Sequence, residues 1–226
     1  MVQAGTSPRR RLWVGAICSI LALAFLIPYQ ICRVNTRYFL RAQSAKTRLA
    51  RGAVLFSGAF DTAEVIEKTA YPPGADYVVK NAAALDELKL LRPRLVRTNH
   101  LSDLRHELAD GKQASGSCEK INAIGAGLSR ASGWAVLNPK RRLADCVLLA
   151  YQMPSDQEWT LFAMSDSVER RKDIARRFRQ IDDLWSGWSA TFRQSAIPAG
   201  AKLSFWAVDA DDPKLYQLDD KSSLRE

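Results

Sequence analysis

Histidine is almost missing from this chain: His100 and His106 are the only two among 226 residues. They stand six positions apart, off the i, i+4 helix face of paired zinc ligands, and no His-Glu-x-x-His surrounds them. No Cys-x-x-Cys, no Gly-x-Ser-x-Gly and no phosphate-cradling glycine loop occurs either. Zinc, nucleophilic and nucleotide chemistry therefore find no support, and the sequence offers no catalytic residue, cofactor site or metal ligand. A basic surplus is also missing where the chain looks most like a folded domain. Of the net charge of +9, residues 1–32 contribute +3, residues 33–112 contribute +5 and residues 113–226 only +1. A nucleic-acid binder concentrates its basic charge on the recognition module, so no nucleic-acid partner is expected.

What the chain does have is one long uncharged run. Residues 12–32, LWVGAICSILALAFLIPYQIC, hold no charge over 21 positions. At about 1.5 Å per residue this gives roughly 31 Å of helix, the thickness of a bilayer's hydrocarbon core. Trp13 and Tyr29 lie near its ends, where amphipathic rings favour the headgroup level. No small-x-small cleavage site follows, and the run exceeds a signal peptide's apolar segment, so a retained anchor is expected. Arg9, Arg10 and Arg11 flank it on one side, and Arg33, Arg37 and Arg41, then Lys46 and Arg48, on the other. The positive-inside rule would place the C-terminal side in the cytoplasm, but long domains translocate against that bias.

Residues 34–57 suggest a helix whose arginines either meet anionic headgroups or form a solvated face. Asp61 is a candidate cap for a short helix reaching Thr69. YPPG at 71–74 breaks the chain, and 75–91 resumes helical spacing with Val78, Ala82, Leu85 and Leu88 on one stripe. GKQASGS at 111–117 has linker composition and marks a boundary. Beyond it, strands are expected at 118–124, 128–137, 144–152, 158–165, 187–193, 202–209 and 215–218. One helix over 168–185 interrupts them, capped by Asp166 with Glu169 three residues on, and striped by Ile174, Phe178, Ile181 and Trp185. Its six basic residues share the segment with four acidic ones, the pattern of a solvated face.

Ser-Gly-Trp occurs at 132–134 and 186–188, and SFWAVDA follows at 204–210. Strand alternation sets Trp134 with Val136, Trp188 with Ala190 and Phe192, and Trp206 with Val208. Tryptophans with apolar neighbours on the same face indicate a structural core more than a sugar-stacking platform. Gly133 and Gly187 are expected to permit a bulge or a close backbone approach. Asp209 and Asp211 in DADD have a spacing that can hold a divalent cation, but Asp-Asp-Pro after a strand is ordinary turn chemistry. Cys18 and Cys32 fall in the apolar run. Cys118 and Cys146 fall on predicted strands: they pair if the domain lies in an oxidising compartment and stay buried thiols if it does not.

SGWAVLNPKRRLADCVLLAY, then LFAM, an arginine-rich helix, SGWSATF, IPAGAKLSFWAVDAD and KLYQL, resemble the C-terminal tail of bacterial multi-span membrane proteins, some of them similar to lipid-linked-sugar glycosyltransferases. AYPPGADYVVKNAAALDELKLLRP resembles the segment joining span and tail there. The resemblance covers about residues 12–220 and carries over no catalytic residue, because the many spans and acidic loops of such transferases are not in this chain.

The expectation is thus a membrane-anchored α+β protein: a basic N-terminus and transmembrane helix over 1–33, a membrane-proximal helical segment over 34–112, and a β-sandwich-like domain with one helix over 113–226. Its expected place is the bacterial inner membrane with the domain in the periplasm. Its expected partners are the lipid bilayer and other envelope membrane proteins or glycans, in a non-catalytic binding or assembly role. The alternative is a fragment or subunit of a multi-span glycosyltransferase-like enzyme.

Overall fold

The computed structural model describes residues 8–69, 74–107, 109–110, 114–137, 142–179, 182–211 and 214–220. Chain contacts divide it into two units, Met1–Ala42 and Gln43–Glu226. The chain is mixed α+β, with one long apolar N-terminal helix and two sheets.

Helix α1 runs unbroken from Pro8 to Leu55, with Pro28 inside it. Its alanines, leucines and arginines are strong helix formers, and Pro28 removes only one backbone hydrogen bond. In the first unit, every large apolar side chain from Ile20 to Ile31 is exposed, between 52% and 76%. The stretch Ser19–Leu55 is long and apolar enough to cross a membrane by length and composition.

The second unit begins with the end of α1, where Ala45, Leu49, Ala53 and Phe56 turn inward at helical spacing. Three short helices follow: α2 (Ala63–Thr69), α3 (Ala75–Glu87) and α4 (Leu101–Glu107). Asp61 accepts a hydrogen bond from the Ala63 N–H at the start of α2, 3.0 Å. On α3 the buried stripe differs from the expected one. Leu85 and Leu88 are exposed, whereas Ala75, Ala82 and Asp86 are buried. The stripe is rotated because Asp86, charged in the sequence, is neutralised inside by arginines described below.

Eleven strands are described: β1 (Ala109–Asp110), β2 (Ala114–Gly125), β3 (Leu128–Leu137), β4 (Arg142–Leu143), β5 (Cys146–Gln152), β6 (Thr160–Met164), β7 (Ser167–Glu169), β8 (Gly187–Arg193), β9 (Lys202–Asp209), β10 (Lys214–Gln217) and β11 (Asp219–Asp220). One sheet has the order β1-β10-β9-β5-β6, the other β11-β2-β3-β8-β7, with β4 beside β3. Most pairs are antiparallel; β1 with β10 and β11 with β2 are parallel. The linker-like stretch 111–117 is described from residue 114, which opens β2.

Alternation along the strands sorts their side chains into three apolar clusters. Cys146, Leu148, Trp206 and Val208 join Leu49, Phe56, Ile66, Val96 and Leu104 of the helical layer. Val147, Leu149, Phe205 and Ala207 meet Ala131, Ala135, Leu137, Trp188 and Phe192 between the two sheets. Trp134 and Val136 face outward from the second sheet and are covered by Ile174 and Phe178. The three tryptophans are all buried, each in a different cluster.

The helix expected over 168–185 is mostly something else. Residues Ser167–Glu169 form β7, an edge strand on β8, and only Lys172–Phe178 is α-helical (α5). Asp182–Trp185 is a 3-10 turn, and Ile181 lies outside the described residues. Asp166 does not cap the helix; its carboxylate accepts the Thr191 N–H at 2.9 Å. Pairing with β8 overrides a local helical pattern here.

Both Ser-Gly-Trp glycines sit at close backbone approaches. A β carbon on Gly133 would stand 2.9 Å from the Ser117 carbonyl carbon and 3.0 Å from the Cys118 Cα. The β2–β3 register also shifts between Cys118 and Lys120, next to Gly133. On Gly187 a β carbon would stand 2.8 Å from the Glu169 carbonyl oxygen, where β7 crosses.

Candidate functional site

Two arginines and three aspartates tie α1 to the sheets within the second unit. Asp145, just before β5, has a fully buried side chain. Its Oδ1 accepts hydrogen bonds from Arg51 Nε (3.1 Å) and Nη2, and its Oδ2 accepts the Ala210 N–H at 2.7 Å. Arg51 Nη1 also reaches Asp211, and Arg142 bridges Asp211 and buried Asp209. Asp209 further accepts the Asp211 N–H at 3.0 Å. The Asp-x-Asp pair is thus occupied by arginines, which is what fixes the turn after β9; Asp212 and Pro213 lie outside the described residues. Hydrogen bonding from Arg51, with the charges of Arg142 and Arg48 nearby, holds the Asp211 carboxyl below its ordinary value.

A second network surrounds Asp86, whose side chain is 1% exposed. Arg94 Nε at 3.1 Å, Arg97 Nη2 at 3.1 Å and the Leu95 N–H at 3.2 Å all donate to it. The Arg94 hydrogen bond outweighs desolvation and lowers the carboxyl pKa. A third joins Arg171 to Asp173 at 2.6 Å and to Glu119 at 2.8 Å. That hydrogen bond brings Asp173 down to about 2 and raises Arg171. Arg171 is therefore a tied residue on a face expected to be solvated; Arg170, Lys172, Arg176, Arg177 and Arg179 are exposed.

These three depressed carboxyls fix the sign of the acid response. Each has a folded pKa below its unfolded value near about 4. Their contribution to stability is complete above that value and is lost as pH falls through the folded pKa values. The urea midpoint should therefore fall from about pH 4 toward about pH 2, where Asp173 titrates. A midpoint flat across that window would show that these ion pairs contribute nothing net.

Neither Cys118 nor Cys146 is in a disulfide, so the pairing weighed from the sequence is not formed. The two buried thiols belong to different sheets and different clusters. The Cys118 Sγ lies 3.7 Å from the Lys120 carbonyl oxygen and 3.8 Å from that of Ser132. Cys146 faces α1, packed so closely that a β carbon on Gly52 would stand 2.8 Å from its Sγ. Desolvation pushes its pKa well up, which keeps it an unreactive thiol. Cys32 is exposed on α1. His100 Nδ1 lies 3.6 Å from Glu158 on an exposed bridge, and the His106 side chain lies outside the described residues. Among the described residues, no three His, Cys, Asp or Glu side chains are grouped as a metal site.

One concavity of the second unit is a groove of about 740 Å³ lined by α2, β6 and β8. Its size falls in the range of ligand sites. Phe60, Val65, Phe162, Met164 and Phe192 give it apolar walls; Asp61, Glu64, Lys68, Asp166 and Arg193 give it polar ones. Phe162 of one sheet meets Phe192 of the other edge-to-face, with centroids 5.3 Å apart. Glu64 and Lys68 pair across one turn of α2.

Two strand edges border this groove. β6 is the terminal strand of its sheet, and among the described residues its outer edge is covered at its start, by the His100–Thr160 bridge and the Leu161 N–H to the Asn99 carbonyl (2.7 Å). β7 covers β8 only at Gly187–Ser189, so among the described residues the outer edge of 190–193 has no neighbouring strand. At Thr191 the Asp166 carboxylate takes the place of one, accepting that residue's N–H. Asp61 and Asp166 stood out in the sequence only as helix caps and Phe192 only as a core neighbour of Trp188; their segments converge only in the folded unit.

No protein-family profile and no curated protein sequence matches the chain.

Proposed function

We propose that the protein is a single-pass, membrane-anchored binding module of the bacterial cell envelope. Its sandwich-like β unit takes up an extended segment of another envelope protein in the groove between β6 and β8. The observation that carries this reading is the pair of partly open strand edges along one groove. An open edge offers unpaired N–H and C=O groups to an added strand. The apolar wall suits alternate apolar side chains, and Asp61, Glu64 and Asp166 favour cationic ones between them. A glycan fits less well, since Trp134, Trp188 and Trp206, the rings a sugar would stack on, are all buried. The anchor reading is supported by the exposed apolar side chains at 20–31, each costing roughly 1.5–3 kcal/mol if left in water.

The test uses the full chain in detergent micelles and an alternating lysine–valine peptide of about eight residues, the length of an ordinary strand. Amide exchange at Met164 and Arg193 should slow when the peptide is added, and Glu64→Lys should weaken the effect severalfold. Exchange unchanged at both edges under saturating peptide would sink the groove reading.

A further inference from the structure

The next feature rests on the anchor reading and concerns the end of α1's apolar run. Immediately after Cys32 come Arg33, Arg37 and Arg41, spaced four apart on a continuous helix. At about 100° per residue, the three fall within an arc of about 80°. Arg33 and Arg37 are exposed and Arg41 is half-buried. No acidic residue occurs anywhere in α1, and the first in the chain is Asp61. An ordinary solvated helix face intersperses both signs, as α5 does with Asp173 beside its arginines. The helix therefore supplies no carboxylate at i±4 to the exposed Arg33 and Arg37.

Depth points the same way. If the run to Cys32 fills the hydrocarbon core, the next residues lie in a headgroup layer roughly 5–8 Å thick. Arg33 to Arg37 covers about 6 Å of rise. Side chains on a helix lean toward its N-terminus, so Arg37 and Arg41 reach back toward the bilayer. Phe39 and Leu40, both exposed on the same turns, give that stretch apolar surface for the interface. Guanidinium groups bind phosphate oxygens in a two-pronged geometry that ammonium groups cannot match.

We propose that Arg33, Arg37 and Arg41 form a binding face for the phosphodiester of anionic phospholipid headgroups. The protein then gathers such lipids around the C-terminal end of its span. Each arginine should contribute about fivefold to the preference, so loss of all three removes on the order of 100-fold.

The experiment reconstitutes the full chain in phosphatidylcholine bilayers doped with spin-labelled phosphatidylglycerol or spin-labelled phosphatidylcholine. An alkaline carbonate wash comes first: release of the chain would overturn the anchor reading and this proposal together. With the chain retained, the motionally restricted lipid should be enriched in phosphatidylglycerol. Arg33→Gln/Arg37→Gln/Arg41→Gln should abolish that enrichment, and lysines at the same positions should restore part of it. A retained chain without enrichment, or with enrichment unchanged in the glutamine variant, would overturn this proposal alone. Loss of enrichment on adding millimolar inorganic phosphate at constant ionic strength would assign the face to free phosphate instead and overturn the lipid assignment.

Discussion

Gly133→Val is expected to destabilise the second unit by about 3 kcal/mol or more. A β carbon there falls on the Ser117 carbonyl group, which is backbone in the paired strand β2 and has nowhere to go. The pairing of β2 with β3 is the longest in either sheet, running from Ala114–Leu137 to Gly125–Leu128. Displacing it opens the inter-sheet cluster around Cys118, Ala131 and Trp188. Guanidinium unfolding followed by tryptophan fluorescence should show a lower midpoint, and Gly133→Ala should fall in the same direction by less. A valine variant as stable as the parent would mean that β2 bends away at this point freely.

Asp145→Ala is the second change with a large expected effect, at about 3–5 kcal/mol. It removes the acceptor of the Ala210 N–H, leaving a buried donor unpaired, and it strips Arg51 of one of two carboxylate partners. Arg51 is 39% exposed and can recover water, which sets the lower end of that range. Asp145→Asn keeps an oxygen for the Ala210 N–H and should lose roughly half as much. The same denaturation assay separates the two variants; equal, small losses below about 1 kcal/mol would show the network to be dispensable.

Strands at 128–137, 187–193 and 202–209 were legible as short runs rich in apolar and aromatic residues and bounded by turn residues, as strands covered on both faces along most of their length should be. The glycine before each Ser-Gly-Trp tryptophan was legible for the same local reason. Segment 168–185 was not, since its first residues are claimed by β8 and Arg171 by Glu119, contacts invisible to a helical periodicity. Asp86 stands outside the stripe expected over 75–91, because nothing local shows that Arg94 and Arg97 will close over it. The Asp145–Arg51 pair joins positions 94 apart, and the groove draws on residues 60–68, 162–166 and 191–196. Neither arrangement leaves a mark within any one window of sequence.

The two buried thiols have a use that follows from where they sit. Cys146 is sealed under α1 at Gly52, and Cys118 is sealed between the sheets. Detachment of the helix uncovers the first alone, and parting of the sheets uncovers the second. With no bridge joining them, each reacts at the rate of its own opening. Beside the exposed Cys32, which reacts at once, the native chain thus carries two independent clocks, one for the attachment of α1 within the second unit and one for the integrity of its β layers, readable site by site with a thiol reagent.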